Sequence, residues 1–199
     1  MEVRKNISMH HKYNTEAFVL KSLSHKDANK IYFLFTEEFG LIKSIATGVR
    51  LLKSKLRYHL SDFNYISVSL VRGKEYWRIV GAEHPENFSK NKKIDQEIFN
   101  FYGKIFSLIL RLVHGEERNR ELFLAIKGSF LKAGEKKMTL GLECLSAARI
   151  MRSLGYLKTE GLEELFKNHD YDEDVIKLAE SMCKKIIKEI NKSLDETHL

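Results

Sequence analysis

Five cations with no carboxylate among them, Lys43, Arg50, Lys53, Lys55 and Arg57, occupy the stretch from Lys43 to Tyr58. Gly48 and Ser54 lie between them. Side chains of this kind neutralise phosphates, and five such contacts correspond to a log-affinity against log-salt slope of roughly −3.5 to −4.5. They would hold a nucleic-acid backbone without reading its sequence. The same run equally describes a solvated lysine-rich loop. Aromatic rings on which bases stack are the second ingredient of single-strand binding. Tyr65 alternates with Ser67 and Ser69, and Tyr76 shares a strand face with Arg78, so both tyrosines are candidate platforms; ordinary packing is the other reading. Trp77 shares its face with Ile79 and belongs to the core. The candidate nucleic-acid-binding set is therefore Lys43, Arg50, Lys53, Lys55, Arg57, Tyr65, Tyr76 and Arg78.

Catalytic patterns are missing. There is no Gly-rich loop ending in Lys-Ser/Thr and no G-x-S-x-G elbow. The eight histidines are scattered, and none has a His or Cys partner at ligand spacing on a helix. The run Asp170-Tyr-Asp172-Glu-Asp174 has the look of a calcium loop. Its sixth position is Val175 where the turn needs glycine, and its twelfth is Ser181 instead of a bidentate Glu. These acids read instead as a helix start. No metal and no cofactor are expected.

The elements that must carry the basic run are strands. Period-two patterns rich in β-branched and aromatic residues predict strands at 16–23, 30–36, 41–46, 63–71 and 75–83. Ile31, Phe33 and Phe35 share one face of the second, while Ile66, Val68 and Leu70 share one face of the fourth. Five short strands in so few residues predict a small closed barrel, since closure removes exposed edges. The basic residues from Arg50 to Arg57 then lie on a connection over a rigid scaffold, where binding residues usually sit.

After the only proline, Pro85, and the polar stretch 86–93, the period becomes helical. Ile94, Ile98, Phe101, Ile105, Leu108 and Leu112 form one stripe, and Phe99, Tyr102, Phe106, Ile109 and Val113 a second. A helix apolar on two faces predicts the central helix of a bundle. Further helices are predicted at 118–133, 138–154, 160–168 and 172–194. Leu140, Cys144, Ala147, Met151 and Leu154 form the stripe of the 138–154 helix, and Gly155 is placed to cap it. The fold class is α+β, with a tail at 1–14, a barrel domain at 15–85 and a helical domain at 94–199.

The net charge of +7 is unevenly placed. Residues 1–95 hold 17 Lys+Arg against 10 Asp+Glu, and the remainder holds 17 of each. That asymmetry points to an anionic partner for the first half, either nucleic acid or an acidic membrane surface. Two cysteines, Cys144 and Cys183, make no disulfide framework and fit a reducing compartment. Neither a signal peptide nor an apolar run long enough to span a bilayer is visible, so the cytoplasm is expected.

The stretch Glu16-Ala-Phe-Val-Leu-Lys21, followed by Lys30-Ile-Tyr-Phe-Leu-Phe-Thr36 and Phe39-Gly40-Leu41-Ile42, resembles the start of the RecO oligonucleotide-binding domain. Ala46-Thr-Gly48-Val-Arg50-Leu-Leu-Lys53-Ser54-Lys55-Leu-Arg57 resembles that family's basic signature, with Thr47 and Leu52 where a Lys and a Pro are common. Arg149-Ile-Met-Arg152-Ser-Leu-Gly155-Tyr156 is similar to the family's Leu-Gly-Tyr segment. Many members follow it with four zinc-binding cysteines; Lys158-Thr-Glu-Gly-Leu stands here instead, so no zinc is expected. The resemblance implies an OB-fold barrel and a non-catalytic mediator of recombinational repair. Such a protein binds single- and double-stranded DNA, anneals strands and helps to load recombinase. The partners it implies are RecR and the acidic C-terminal tail of single-stranded-DNA-binding protein. Arg118, Arg120, Arg149 and Arg152 are candidates for receiving that tail, because arginine suits carboxylates bidentately. The alternatives are an RNA-binding barrel and a protein–protein adaptor that has lost DNA binding.

Overall fold

A computed structural model of the chain describes residues 11–85, 96–135 and 137–196. It divides into two compact units, Met1–Phe88 and Ser89–Leu199. The first contains five strands, β1 (Lys12–His25), β2 (Asn29–Thr36), β3 (Gly40–Ala46), β4 (Tyr65–Val71) and β5 (Trp77–Glu83), with a short helix α1 (Leu56–His59) before β4. They close into a barrel in the order β1-β2-β3-β5-β4. All pairings are antiparallel except β3 with β5, where Ser44 faces Trp77 and Ile45 faces Arg78.

β1 makes closure possible. Its first half pairs with β4, from Lys12 opposite Val71 to Phe18 opposite Tyr65, and its second half pairs with β2 down to His25 opposite Asn29. A register shift between Val19 and Lys21 bends the strand between these partners, as a bulge does. Alternation turns Val19, Leu34, Ile66, Val68 and Leu70 into the core. β1 starts at Lys12, so Lys12, Tyr13 and Asn14 are paired residues and not part of a tail; Tyr13 packs its ring edge-on to Phe39 and Trp77. Residues 1–10 of the expected tail and the whole polar stretch 86–93 lie outside the described residues. Thr36 closes the β2–β3 turn, accepting from Phe39 N–H at 2.9 Å and donating to the Gly40 carbonyl at 3.1 Å.

The second unit holds α2 (Gln96–Leu112), α3 (Arg120–Glu135), α4 (Leu140–Ser153), α5 (Glu173–Ser181) and α6 (Cys183–Glu196), with a 3-10 turn at Glu163–Phe166. The structure moves the centre from α2 to α4. α2 buries Ile98, Tyr102, Ile105, Phe106 and Ile109 but leaves Phe99 exposed. α4 packs against α3, α5, α6 and the 3-10 turn. The physical reason is size: Gly141, Cys144, Ser146 and Ala148 are all buried and let neighbouring backbones approach, whereas the aromatic side chains of α2 hold neighbours off. Of the expected α4 stripe, Cys144 and Met151 are buried while Leu140 is exposed. Thr139 caps the start of α4 by accepting from Leu142 N–H at 3.2 Å. Gly155, at φ +82, ends it in a Schellman arrangement, with Gly155 N–H to Arg152 O and Tyr156 N–H to Met151 O. The expected 160–168 helix shrinks to the 3-10 turn, and the expected 172–194 helix is interrupted at Met182.

Cys144 and Cys183, expected as isolated thiols, are joined as a disulfide with their Cα atoms 5.6 Å apart. The packing of α6 on α4 brings together residues 39 apart in sequence. Among the described residues no helix is long and apolar enough to cross a membrane.

Candidate nucleic-acid interface

The basic connection is fastened to the β1–β2 turn. Gly48, at φ +69 where a side chain would be strained, donates its N–H to Asn29 Oδ1 at 2.9 Å. Arg50 N–H donates to the Ala28 carbonyl at 3.0 Å, and Arg50 Nη1 to the Lys26 carbonyl at 3.3 Å. Two consecutive turns follow, closed by Leu51 N–H to Gly48 O at 3.1 Å and Ser54 N–H to Leu51 O at 3.0 Å. The side chains of Arg50, Lys53, Lys55 and Arg57 all reach solvent from this braced backbone. Arg50 and Arg57, together with Lys30, line one groove of about 590 Å³ between the connection and β2. Its only acidic lining residue is Asp62. At the floor Tyr32 is buried, and burial followed by the Asp62 charge pushes its phenol up to about 12.

A second group forms on the outer face of β2, β3 and β5. Lys43 is exposed opposite Phe33, with its ammonium 5.6 Å from the ring centroid, within cation–π range. The pairing of Ile45 with Arg78 continues this face onto β5. There Arg78, Tyr76, Arg72 and Lys74 line a groove of about 780 Å³. Tyr76 is half-buried with its ring 6.5 Å from that of His25, at the end of β1. The β1–β2 turn thus touches both groups: His25 meets Tyr76, and Lys26 and Ala28 hold Arg50. Glu75 is the one acidic residue lining the groove that carries Tyr76, while Glu16, Glu37, Glu38 and Glu83 line a separate groove formed by β1, β4, β5 and the β2–β3 turn.

Seven of the eight candidate DNA-binding residues therefore sit on exposed or half-exposed surface. Tyr65 does not. It is 2% exposed and stacks on Phe18, its cross-strand partner, at 4.9 Å between ring centroids. Burial, then the Glu16 carboxylate, push its phenol up. Alternation with serines placed Tyr65 on the outer face correctly, but the Phe18 pair covers the ring. Sequence reasoning missed Phe33, Arg72 and Lys74. Phe33 lies in an apolar run, Ile31 to Phe35, whose alternate members Tyr32 and Leu34 fill the core, so period two could not say which set faces out.

The four arginines expected to receive an acidic tail do not form one site. Arg149 is 6% exposed and fully committed to the backbone: Nε donates to Leu165 O at 3.1 Å, Nη1 to His169 O at 2.9 Å and Nη2 to Asn168 O at 2.9 Å. Its guanidinium also lies 4.5 Å from the Tyr171 ring centroid. That arginine is a buried brace and not the partner-binding residue expected from the sequence, because its donors are spent on backbone carbonyls. Arg152 pairs with Glu121 at 4.0 Å and lies over Phe166 at 4.7 Å. The cleft between Arg149 and Arg152 measures only about 10 Å³, too small for a peptide carboxylate. Arg118 and Arg120 are exposed at the start of α3. Among the described residues no group of three or more His, Cys, Asp or Glu is placed to hold a metal ion.

The profile of the family described as "Recombination protein O N terminal" matches residues 9–88, which contain the whole barrel. A "DNA repair protein RecO" from Clostridium novyi (strain NT) is 29% identical over 147 residues, covering 72% of this chain and 56% of the relative. Another, from Chlorobium limicola (strain DSM 245 / NBRC 103803 / 6330), is 33% identical over 117 residues, covering 57% of this chain and 44% of the relative. A third, from Dehalococcoides mccartyi (strain ATCC BAA-2266 / KCTC 15142 / 195), is 37% identical over 78 residues, 39% of this chain and 31% of the relative. The chain thus spans about half or less of the length of these curated relatives. The 1-2-3-5-4 barrel and the braced basic connection both fall within residues 9–88, so it is this first unit that matches the RecO N-terminal family.

Proposed function

We propose that this protein is a non-catalytic DNA-binding mediator of recombinational DNA repair. The observation that carries the reading is the continuous cationic and aromatic surface made by the 47–57 connection, the β1–β2 turn and the outer face of β3 and β5. In OB-type barrels this face and its flanking loops are where oligonucleotides bind. Arg50, Lys53, Lys55 and Arg57 neutralise phosphates on one side of the β1–β2 turn. Lys43, Arg72, Lys74 and Arg78 do so on the other, with Phe33 and Tyr76 as stacking surfaces. Such a surface tolerates any sequence and takes single or double strands. Holding two strands on one cationic face screens their repulsion, which is how annealing follows without a chemical step. Help in recombinase loading, with RecR and the acidic tail of single-stranded-DNA-binding protein as partners, belongs to the same reading; Arg118 and Arg120, both exposed, are the candidates for that tail.

The test is fluorescence anisotropy across a salt series, with labelled DNA and RNA oligonucleotides of about 30 bases, longer than the site of one such barrel. Binding to DNA that is sequence-tolerant and salt-sensitive is expected. Replacing Arg50, Lys53 and Lys55 together with alanine should flatten the salt slope by about 2, at about 0.7 per lost contact, evenly across sequences. Unchanged affinity in the triple variant would put the DNA path elsewhere. Preference for RNA would favour an RNA-binding barrel, and no binding at low salt would favour a protein–protein adaptor.

A further inference from the structure

Among the large apolar side chains that stand exposed in the described residues, three fall inside the basic connection: Leu51 at 46% exposure, Leu52 at 88% and Tyr58 at 73%. A lone surface leucine is ordinary. These three lie within eight residues of one another, interleaved with Arg50, Lys53, Lys55 and Arg57 and with no carboxylate between them. The exposure of Leu52 is imposed by the backbone. It is the second residue of the turn closed by Ser54 N–H on Leu51 O, and the preceding turn is tied to Asn29 and Ala28. That corner favours Pro, Asn, Asp, Gly or Ser for local reasons, so leucine there serves neither the turn nor the core.

An apolar tip rimmed by cations fits a ligand whose apolar planes lie beneath an anionic backbone. We propose that Leu51 and Leu52 form a wedge that enters between bases where double-stranded DNA meets a single strand, with Arg50, Lys53 and Lys55 on the phosphates at either side. Apolar side chains inserted into base steps unstack them, and the step beside a strand end opens most easily. Nucleic acid is favoured over a lipid surface because the tip is continuous, through the β1–β2 turn, with the groove that carries Tyr76. In addition, α1, which follows it, has only four residues and no long amphipathic face to lie in a bilayer. The inference rests on the DNA-binding reading above and adds a substrate class to it, the junction between duplex and single strand.

The experiment uses the full chain, a junction substrate with 2-aminopurine at the first paired position, and a plain single strand. The wild type is expected to raise 2-aminopurine emission on binding. The variant carrying Leu51→Ser and Leu52→Ser, both at exposed positions, should lose that rise and about tenfold in affinity for the junction. Its affinity for the plain strand should change by less than about twofold, since the phosphate contacts are intact. Junction binding by the wild type with no emission rise, or a rise that survives in the variant, overturns the wedge and leaves DNA binding standing. Failure of the wild type to bind either DNA overturns both readings. Sedimentation of the wild type, but not the variant, with phosphatidylglycerol vesicles would make the tip a lipid anchor and overturn the wedge.

Discussion

Replacing Arg149 with methionine removes the brace that holds the segment between the 3-10 turn and α5. The side chain keeps the apolar stem and ends where the guanidinium begins, so the loss is largely that of the guanidinium. The Leu165 carbonyl, whose bond is buried, is left without its donor, which costs about 1–3 kcal/mol. The Asn168 and His169 carbonyls are only part-buried and regain water, so their loss adds about 1 kcal/mol together. The contact with Tyr171 contributes about 1 kcal/mol more. Against this, the variant no longer buries a charge; burial already pulls the Arg149 pKa below the ordinary arginine value. The net expectation is a loss of about 3 kcal/mol, or a fall of about 1–2 M in the urea midpoint at a typical slope for a unit of this size. The assay follows far-ultraviolet ellipticity for the helices and the fluorescence of Trp77, the only tryptophan, for the barrel. Arg149→Lys keeps the charge but not the fork, and should recover less than half of the loss. A helical transition that moves by less than about 0.3 M in the methionine variant would refute the bracing argument.

The disulfide and the buried phenol give two further expectations. Cys144–Cys183 closes a span of 39 residues, so reduction should lower helical-unit stability by about 4 kcal/mol in the loop-entropy account. Urea midpoints with and without reductant check this, and Cys144→Ser should be insensitive to reductant. Tyr32 is raised from 10.0 to about 12, so its contribution to barrel stability is complete below pH 10 and is lost as pH rises towards about 12. In that window the unfolded chain releases a proton that the barrel retains. Tyr32→Phe should therefore flatten the alkaline fall in stability followed by Trp77 fluorescence, and an unchanged slope would count against the assignment.

Much of the barrel was legible because its strands are local patterns. Alternation marks all five, and the charge run between the third and fourth marks the basic connection. A run of cations without carboxylates has to be solvated wherever the chain folds, so Arg50, Lys53, Lys55 and Arg57 reach solvent as expected. Gly155 was legible for the same reason, since a helix end needing φ +82 selects glycine locally.

What alternation could not decide is which of two apolar faces is covered. Phe33 and Tyr65 both point away from the barrel core. Phe33 carries Lys43 above it and is half-exposed, while Tyr65 is buried against Phe18, a partner 47 positions earlier in the sequence. The helical half depends still more on distant partners. Two apolar stripes made α2 look central, but small residues let α4 take that place. Arg149 reads as a surface cation until the carbonyls of Leu165, Asn168 and His169 fold over it, and the cysteines read as isolated until α6 lies on α4. Local periodicity and charge are properties of a segment and survive in the sequence. Burial, pairing and the satisfaction of buried polar groups join segments far apart, and only the tertiary structure brings those partners together.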